Sequence, residues 1–182
     1  ERNIILGPHF DSRQGSMVIS NPTYLNLEFT RNLTFCASLV PAPARGLILG
    51  LGAGCVAKAT RKIFGLQPEI FVIDNSQEMI RAAEAFFSLN LDDFKVYEYD
   101  AQEFMCLEIG LFDFICVDIW HDRGIPNFIL SQDFWSQLIA KLKPGFSVSI
   151  NAPREKFKDL ADLFSVNFRN FFSLSAQNTC LL

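Results

Sequence analysis

Long apolar runs are absent from this 182-residue chain, and no stretch approaches the roughly 20 consecutive apolar residues a membrane helix needs. The opening segment, ERNIILGPHF, lacks the basic-then-apolar order of a signal peptide, so a cytoplasmic protein is expected. It begins at Glu1 rather than at a methionine, which leaves room for a longer native chain. Basic runs are absent too. With 16 Lys and Arg against 20 Asp and Glu, the net charge of −4 gives no broad pull toward nucleic acid or an anionic membrane. Histidine is scarce, and none of the five cysteines (Cys36, Cys55, Cys106, Cys116, Cys180) sits in a CxxC or Cys/His cluster. That pattern predicts no metal centre and small buried thiols in a reducing compartment. Charge is modest at 20% against 49% hydrophobic residues, which excludes extended disorder. The one abundance is phenylalanine, at 19 residues, so much of a single-domain core is aromatic.

From residue 46 the chain alternates short apolar runs with helical ones. GLILGL, EIFVID, FKVYEYD, FDFICVD and FSVSIN read as five strands. Between them lie CVAKATRKIF, a helix capped by Ser76, the short AQEFMCLE, and a helix capped by Ser131 that KPG closes. Continuous apolar strands separated by helices indicate a parallel sheet covered on both faces. A helix near REKFKDLADLF leads to NFRNFFSLS and TCLL, an antiparallel terminal pair across AQN. Before residue 46, NIILGPHFDSRQGSMVIS reads as two short strands with a turn around DSRQGS. Leu25, Phe29, Leu33, Cys36 and Val40 then form one apolar helical face, which PAPAR ends.

GLGAG follows the first strand of the alternating part and opens a helix, the context in which a glycine loop carries meaning. Gly50, Gly52 and Gly54 allow a sharp turn and a close approach to a ligand. Asp74, Asp100 and Asp118 end the next three strands, and ligands of open parallel sheets bind outside those ends. Aspartate also caps helices and starts turns, and Asp100 precedes a helix. Three acids in register behind a glycine loop favour a nucleotide crevice over three caps. Gly52 to Ala57 also satisfies the GxGxxA dinucleotide fingerprint, with Asp74 about 20 residues on, so a nicotinamide enzyme competes. An acidic lining suits a cation better. Asp74 can accept from ribose hydroxyls and Asp100 from an adenine amino group, with Asp118 near a sulfonium.

LILGLGAG, FVIDNSQEMIRAAEAFF, VYEYDAQEFM and FDFICVDIWHDRGIPNFILSQDFWSQLIAKLKPG together resemble the polyamine synthases, that is, spermidine synthases and their shorter bacterial relatives. RQGSMVISNP resembles the N-terminal hairpin of that family, so the resemblance runs over roughly residues 13 to 151. It implies a Rossmann-like class I S-adenosylmethionine-dependent methyltransferase fold, α/β, with a mostly parallel seven-stranded sheet. A β-hairpin and helix lead-in over 1–45 would precede a transferase domain over 46–182. The implied reaction is aminopropyl transfer from decarboxylated S-adenosylmethionine to an amine, releasing methylthioadenosine. Asp118 matches the base, Asp74 the ribose-binding acid, Asp100 with Ala101 the adenine-binding pair, and Gln14 the residue near the methionine-derived part.

Departures from the family pattern accompany the matches. Ala53 stands where the glycine loop normally carries an aspartate, and His121 where the strand-four loop has a second one, with Asp122 a step further. Phe29, Thr30 and Arg31 replace a Tyr-His-Glu cluster. His121 is a surface residue, or else it pairs with Asp118 as a base with its orienting carboxylate. Trp120 is a lid over the nucleoside or an anchor for its loop. Arg13 and Arg31 are surface charges or hold an anion. NPTY, residues 21–24, looks like the NPPY loop of amino-methyltransferases but precedes a helix, and reads as a turn. Methyl transfer from S-adenosylmethionine to a small molecule and a non-catalytic relic of the family remain the alternatives to aminopropyl transfer. The expected partners are a small-molecule substrate and a second copy of the chain, with neither nucleic acid nor membrane.

Overall fold

The structure is a computed structural model that describes residues 1–5, 13–121, 124–171, 173–175 and 179–181. Two short strands, β1 (Arg2–Ile5) and β2 (Arg13–Met17), pair antiparallel as the lead-in hairpin. β2 begins at Arg13, so most of DSRQGS is strand rather than turn; the link over 6–12 lies outside the described residues. Helix α1 (Glu28–Ser38) starts three residues later than the apolar spacing suggested. Its Leu27 cap position is extended, and Leu25 joins the hairpin's own small apolar cluster instead.

The alternating part follows as β3 (Arg45–Leu49), α2 (Cys55–Phe64), β4 (Glu69–Asp74), α3 (Gln77–Phe87), β5 (Lys95–Glu98), α4 (Ala101–Met105) and β6 (Phe112–Val117). It continues through α5 (Gln132–Ile139), β7 (Leu142–Ala152), α6 (Phe157–Asn167), β8 (Ser173–Ser175) and β9 (Thr179–Leu181). The expected caps are in place: Ser76 Oγ accepts from the Met79 amide at 3.1 Å, and Ser131 Oγ from that of Phe134 at 3.3 Å. KPG does not close α5. The helix stops at Ile139, and Lys143 to Phe146 sit in a bulge inside β7, where pairing with β6 jumps from Leu142 to Ser147.

The strands form one seven-stranded sheet in the order β5-β4-β3-β6-β7-β9-β8. The first five run parallel, while β9 is antiparallel to both neighbours. Helices cover both faces, which is why β3, β4 and β6 are apolar without alternation. On one face Phe112, Ile115 and Val117 pack with Phe134, Trp135 and Phe164 from α5 and α6. Trp135 is fully buried, satisfies its indole N–H on the Ile129 carbonyl at 2.7 Å, and meets the Phe164 ring at 4.8 Å. On the other face Ile48, Ile70, Val72, Phe114 and Cys116 pack with α1 and α2. Leu33 and Ala37 of α1 belong to this second layer, so the lead-in helix shares the core of the sheet. Among the described residues no helix is long and apolar enough to cross a membrane.

Candidate active site

Strand order reverses beside β3: the chain goes on to β4 and β5 on one side, and to β6 and β7 on the other. A crevice therefore opens where the carboxyl ends of β3 and β6 diverge. The glycine loop crosses it. The Gly50 amide donates to the Ile73 carbonyl and the Asp118 amide to the Leu49 carbonyl, both at 2.7 Å. Gly50 has φ +93°, and a Cβ there would lie 2.0 Å from the Asp118 carbonyl oxygen, so only glycine lets the loop pass.

Each strand-end carboxylate is held differently. Asp74 accepts the Leu51 amide on Oδ2 at 2.8 Å and the Ser76 amide on Oδ1 at 3.0 Å, tying the glycine loop to the start of α3. Each oxygen keeps a lone pair for a further donor. Asp100 caps α4 as its position suggested, with Oδ1 accepting the amides of Gln102 at 2.8 Å and Glu103 at 3.1 Å. Its Oδ2 is not used in the cap. The two roles are compatible, because the cap engages one oxygen and Asp100 still lines the cavity. Asp118 accepts from Asn151 Nδ2 at 2.9 Å. Burial pushes the Asp118 carboxyl up to about 6, against the pull of the Asn151 hydrogen bond, with the Asp74 charge adding to the rise.

The three carboxylates share one cavity of about 400 Å³, with Gln14, Gly50, Gly52 and Ala101 also in its wall. That volume lies in the range of sites for small organic ligands. Sequence reasoning missed Asn75, Met79, Tyr99, Pro126 and Phe128, which also line the wall. They carry no chemical signature in the sequence, and only the fold gathers them. Trp120 packs against the core, as an anchor for its loop would, and also lines the cavity. Its indole N–H is buried without a partner among the described residues. Asn151 was also missed, although a strand-end amide next in sheet order to Asp118 is a legible signal. Among the described residues lining the cavity there is no Lys, Arg or His.

Other candidates lie elsewhere. Gly54, with φ +66°, is the N-cap of α2 and packs toward Leu89 rather than lining the cavity. His121 is exposed and bridges Gly124 through its backbone, with both N–H···O distances 3.0 Å; it is not in the cavity wall. Asp122 lies outside the described residues. Arg31 donates to the carbonyls of Leu25 at 2.8 Å and Asn26 at 3.2 Å, and Arg13 pairs with Glu1 at 3.6 Å on the surface. Neither arginine lines the cavity. NPTY is a turn, closed by the Tyr24 amide on the Asn21 carbonyl at 3.0 Å.

The hairpin completes the site by seating on the glycine loop. A Cβ at Gly15 would lie 2.5 Å from Ala53 Cβ, so the two backbones touch and Ala53 is sealed at 2% exposure. Cys55 Sγ donates to the Ser16 carbonyl at 3.2 Å, and Asn26 Nδ2 to Ser16 Oγ at 3.0 Å. These contacts deliver Gln14 to the cavity. Cys55 and Cys116 behave as the inert buried thiols expected: burial raises both, Cys116 to about 12.

No known protein family matches this chain by sequence pattern, and no curated protein matches it. Solved structures do resemble it. A probable spermidine synthase from Corynebacterium glutamicum superposes with a TM-score of 0.78 at 18% identity, covering 94% of this chain and 68% of that one. Human methyltransferase-like protein 13 in complex with SAH gives 0.75 at 20% identity over 85% of this chain and 81% of that one. A spermidine synthase bound to the transition state analogue AdoDATO gives 0.69 at 15% identity over 84% and 58%. At these identities the likeness establishes the fold, which is the Rossmann-like methyltransferase fold.

Proposed function

We propose that this protein is a transferase that binds a sulfonium nucleoside of the S-adenosylmethionine type and moves its aminopropyl group to an amine. The observation that carries this reading is the charge of the cavity. Three carboxylates and no described cation surround a nucleoside-sized space at the switch point of the sheet. Decarboxylated S-adenosylmethionine carries a sulfonium and an ammonium and no carboxylate, so it suits this lining better than the intact cofactor does. Spermidine synthases among the structural neighbours support the same direction.

The geometry supports the following assignment of parts. The free lone pairs of Asp74 accept from the ribose hydroxyls, and Asp100 Oδ2 accepts from the adenine amino group. The amine nitrogen attacks the methylene carbon beside the sulfonium. A C–N bond forms, the C–S bond breaks, and its electron pair leaves on sulfur as neutral methylthioadenosine. Asp118 takes the proton that the amine gives up. A carboxyl held near 6 is ionised at neutral pH yet basic enough to act as the acceptor.

One observation favours methyl transfer instead. Ala53 is sealed under the hairpin where the family pattern of the resemblance has an aspartate, so the glycine loop offers the donor's ammonium no carboxylate. Product analysis separates the two readings. With decarboxylated S-adenosylmethionine and a panel of primary amines, release of methylthioadenosine is expected, falling about 10²- to 10⁴-fold in Asp118→Asn. Demethylated cofactor from intact S-adenosylmethionine would replace this reading with methyl transfer. No product from either donor would contradict both.

A further inference from the structure

Asn151 is an expensive residue to keep where it is. It sits near the carboxyl end of β7, 1% exposed, in a strand whose opposite face is Val148, Ile150 and Ala152. Its Oδ1 is buried and has no partner among the described residues. An unsatisfied buried amide oxygen normally costs stability, and an apolar side chain of that size would remove the cost. Among the described residues its side chain makes one hydrogen bond, to Asp118: Nδ2 donates to Oδ1 at 2.9 Å. The register explains the meeting, since Val117 pairs with Ile150 and the next residue of each strand is Asp118 and Asn151.

From this geometry we infer that Asn151 is the positioning residue for Asp118, fixing which carboxylate oxygen faces the substrate and keeping the base ionised. The inference rests on Asp118 being the base of the reaction proposed above. With Oδ1 tied to the buried amide, the carboxylate cannot spin about its Cβ–Cγ bond without losing that hydrogen bond, and Oδ2 is left as the proton-accepting atom. A donor on the carboxylate favours its charged form, which opposes the burial that would otherwise hold Asp118 protonated.

The other titratable groups around Asp118 act against ionisation or are remote. Asp74 at the end of β4 and Asp100 after β5 share its cavity, and both are acids. Cys116 on β6 and Cys55 on α2 are buried thiols raised by burial, so neither supplies a positive charge. Lys58 on α2 points away, its Nζ donating to the Phe87 carbonyl at 2.5 Å. His121, three residues on, is exposed on the loop. Among these the Asn151 amide is the one neighbour that donates to the carboxylate.

The test is a carboxyl titration by NMR on protein with ¹³C-labelled aspartate, with Asp118 assigned by its disappearance in Asp118→Asn. In Asn151→Leu the midpoint of Asp118 is expected to rise by about one pH unit or more. Asn151→Thr, which keeps a donor on a strand-compatible side chain, should return part of the shift, and it serves if the leucine variant does not fold. Methylthioadenosine binding should survive in both variants, because Asn151 does not line the cavity. An Asp118 midpoint unmoved in a folded Asn151→Leu protein would overturn the inference, as would loss of methylthioadenosine binding, which marks a merely structural residue. Where wild-type turnover exists, the acid limb of kcat should move upward with the titration while the donor KM holds. Absence of turnover counts against the proposed reaction, and the titration still decides the role of Asn151.

Discussion

Asp118 is held against its own stability. Its carboxyl ordinarily titrates at 3.8 and here does so at about 6, so between those values the folded state binds a proton that the unfolded chain releases. Stability from this group is therefore fully present below about pH 4 and lost as the pH rises through 6. At pH 7 the ionised, half-buried carboxylate costs roughly 1–3 kcal/mol, the upper figure being the whole shift converted. Asp118→Asn should then melt higher than wild type at pH 7 by at least about 2 °C, with the difference vanishing near pH 4. Melting curves across that range check the sign; a variant less stable at pH 7 would show that the charge is compensated. Gly50→Ala should be severe for an unrelated reason. It combines a positive φ with a Cβ 2.0 Å from backbone, and a loss of about 2–4 kcal/mol by denaturant unfolding is expected. The acids were legible in the sequence because strand ends can be read from where apolar runs stop. The sequence leaves Trp120 as a lid or an anchor and shows Asn151 only as a strand-end amide, since deciding between roles depends on which strand lies beside which and on what a loop closes over.

At the scale of elements, the alternation of apolar runs located every strand of the parallel sheet, because helices on both faces keep most positions of the central strands β3, β4 and β6 apolar. The boundaries that differed have local causes. Leu25 belongs to the hairpin cluster and so falls outside α1, and the KPG bulge is taken up within β7. The hairpin is the element with the most testable role. It touches the glycine loop through Gly15 and Ala53 and carries Gln14 into the cavity. Gly15→Val should lift it from that seat. Because the main aromatic core lies elsewhere, on α5 and α6, the expected result is a melting temperature lowered by only a few degrees with nucleoside affinity reduced about tenfold or more, read by calorimetry. Unchanged affinity would mean that the hairpin only covers the loop.

Across the whole molecule, a net charge of −4 is unremarkable, but its placement is not. Three carboxylates converge where the sheet order reverses, and the described basic side chains lie outside that wall. The fold explains the convergence, since parallel strands deliver all their carboxyl ends to one edge, and it is shared by proteins that bind differently charged ligands. Lining charge is thus the feature on which the proposed preference for decarboxylated over intact S-adenosylmethionine rests. The most direct measurement is a calorimetric comparison of the two at pH 7.5 and low salt, on the same protein preparation. The account predicts that the decarboxylated donor binds about tenfold tighter or more, with the gap narrowing as salt screens the acids. Equal affinities, or tighter binding of the intact cofactor, would contradict it.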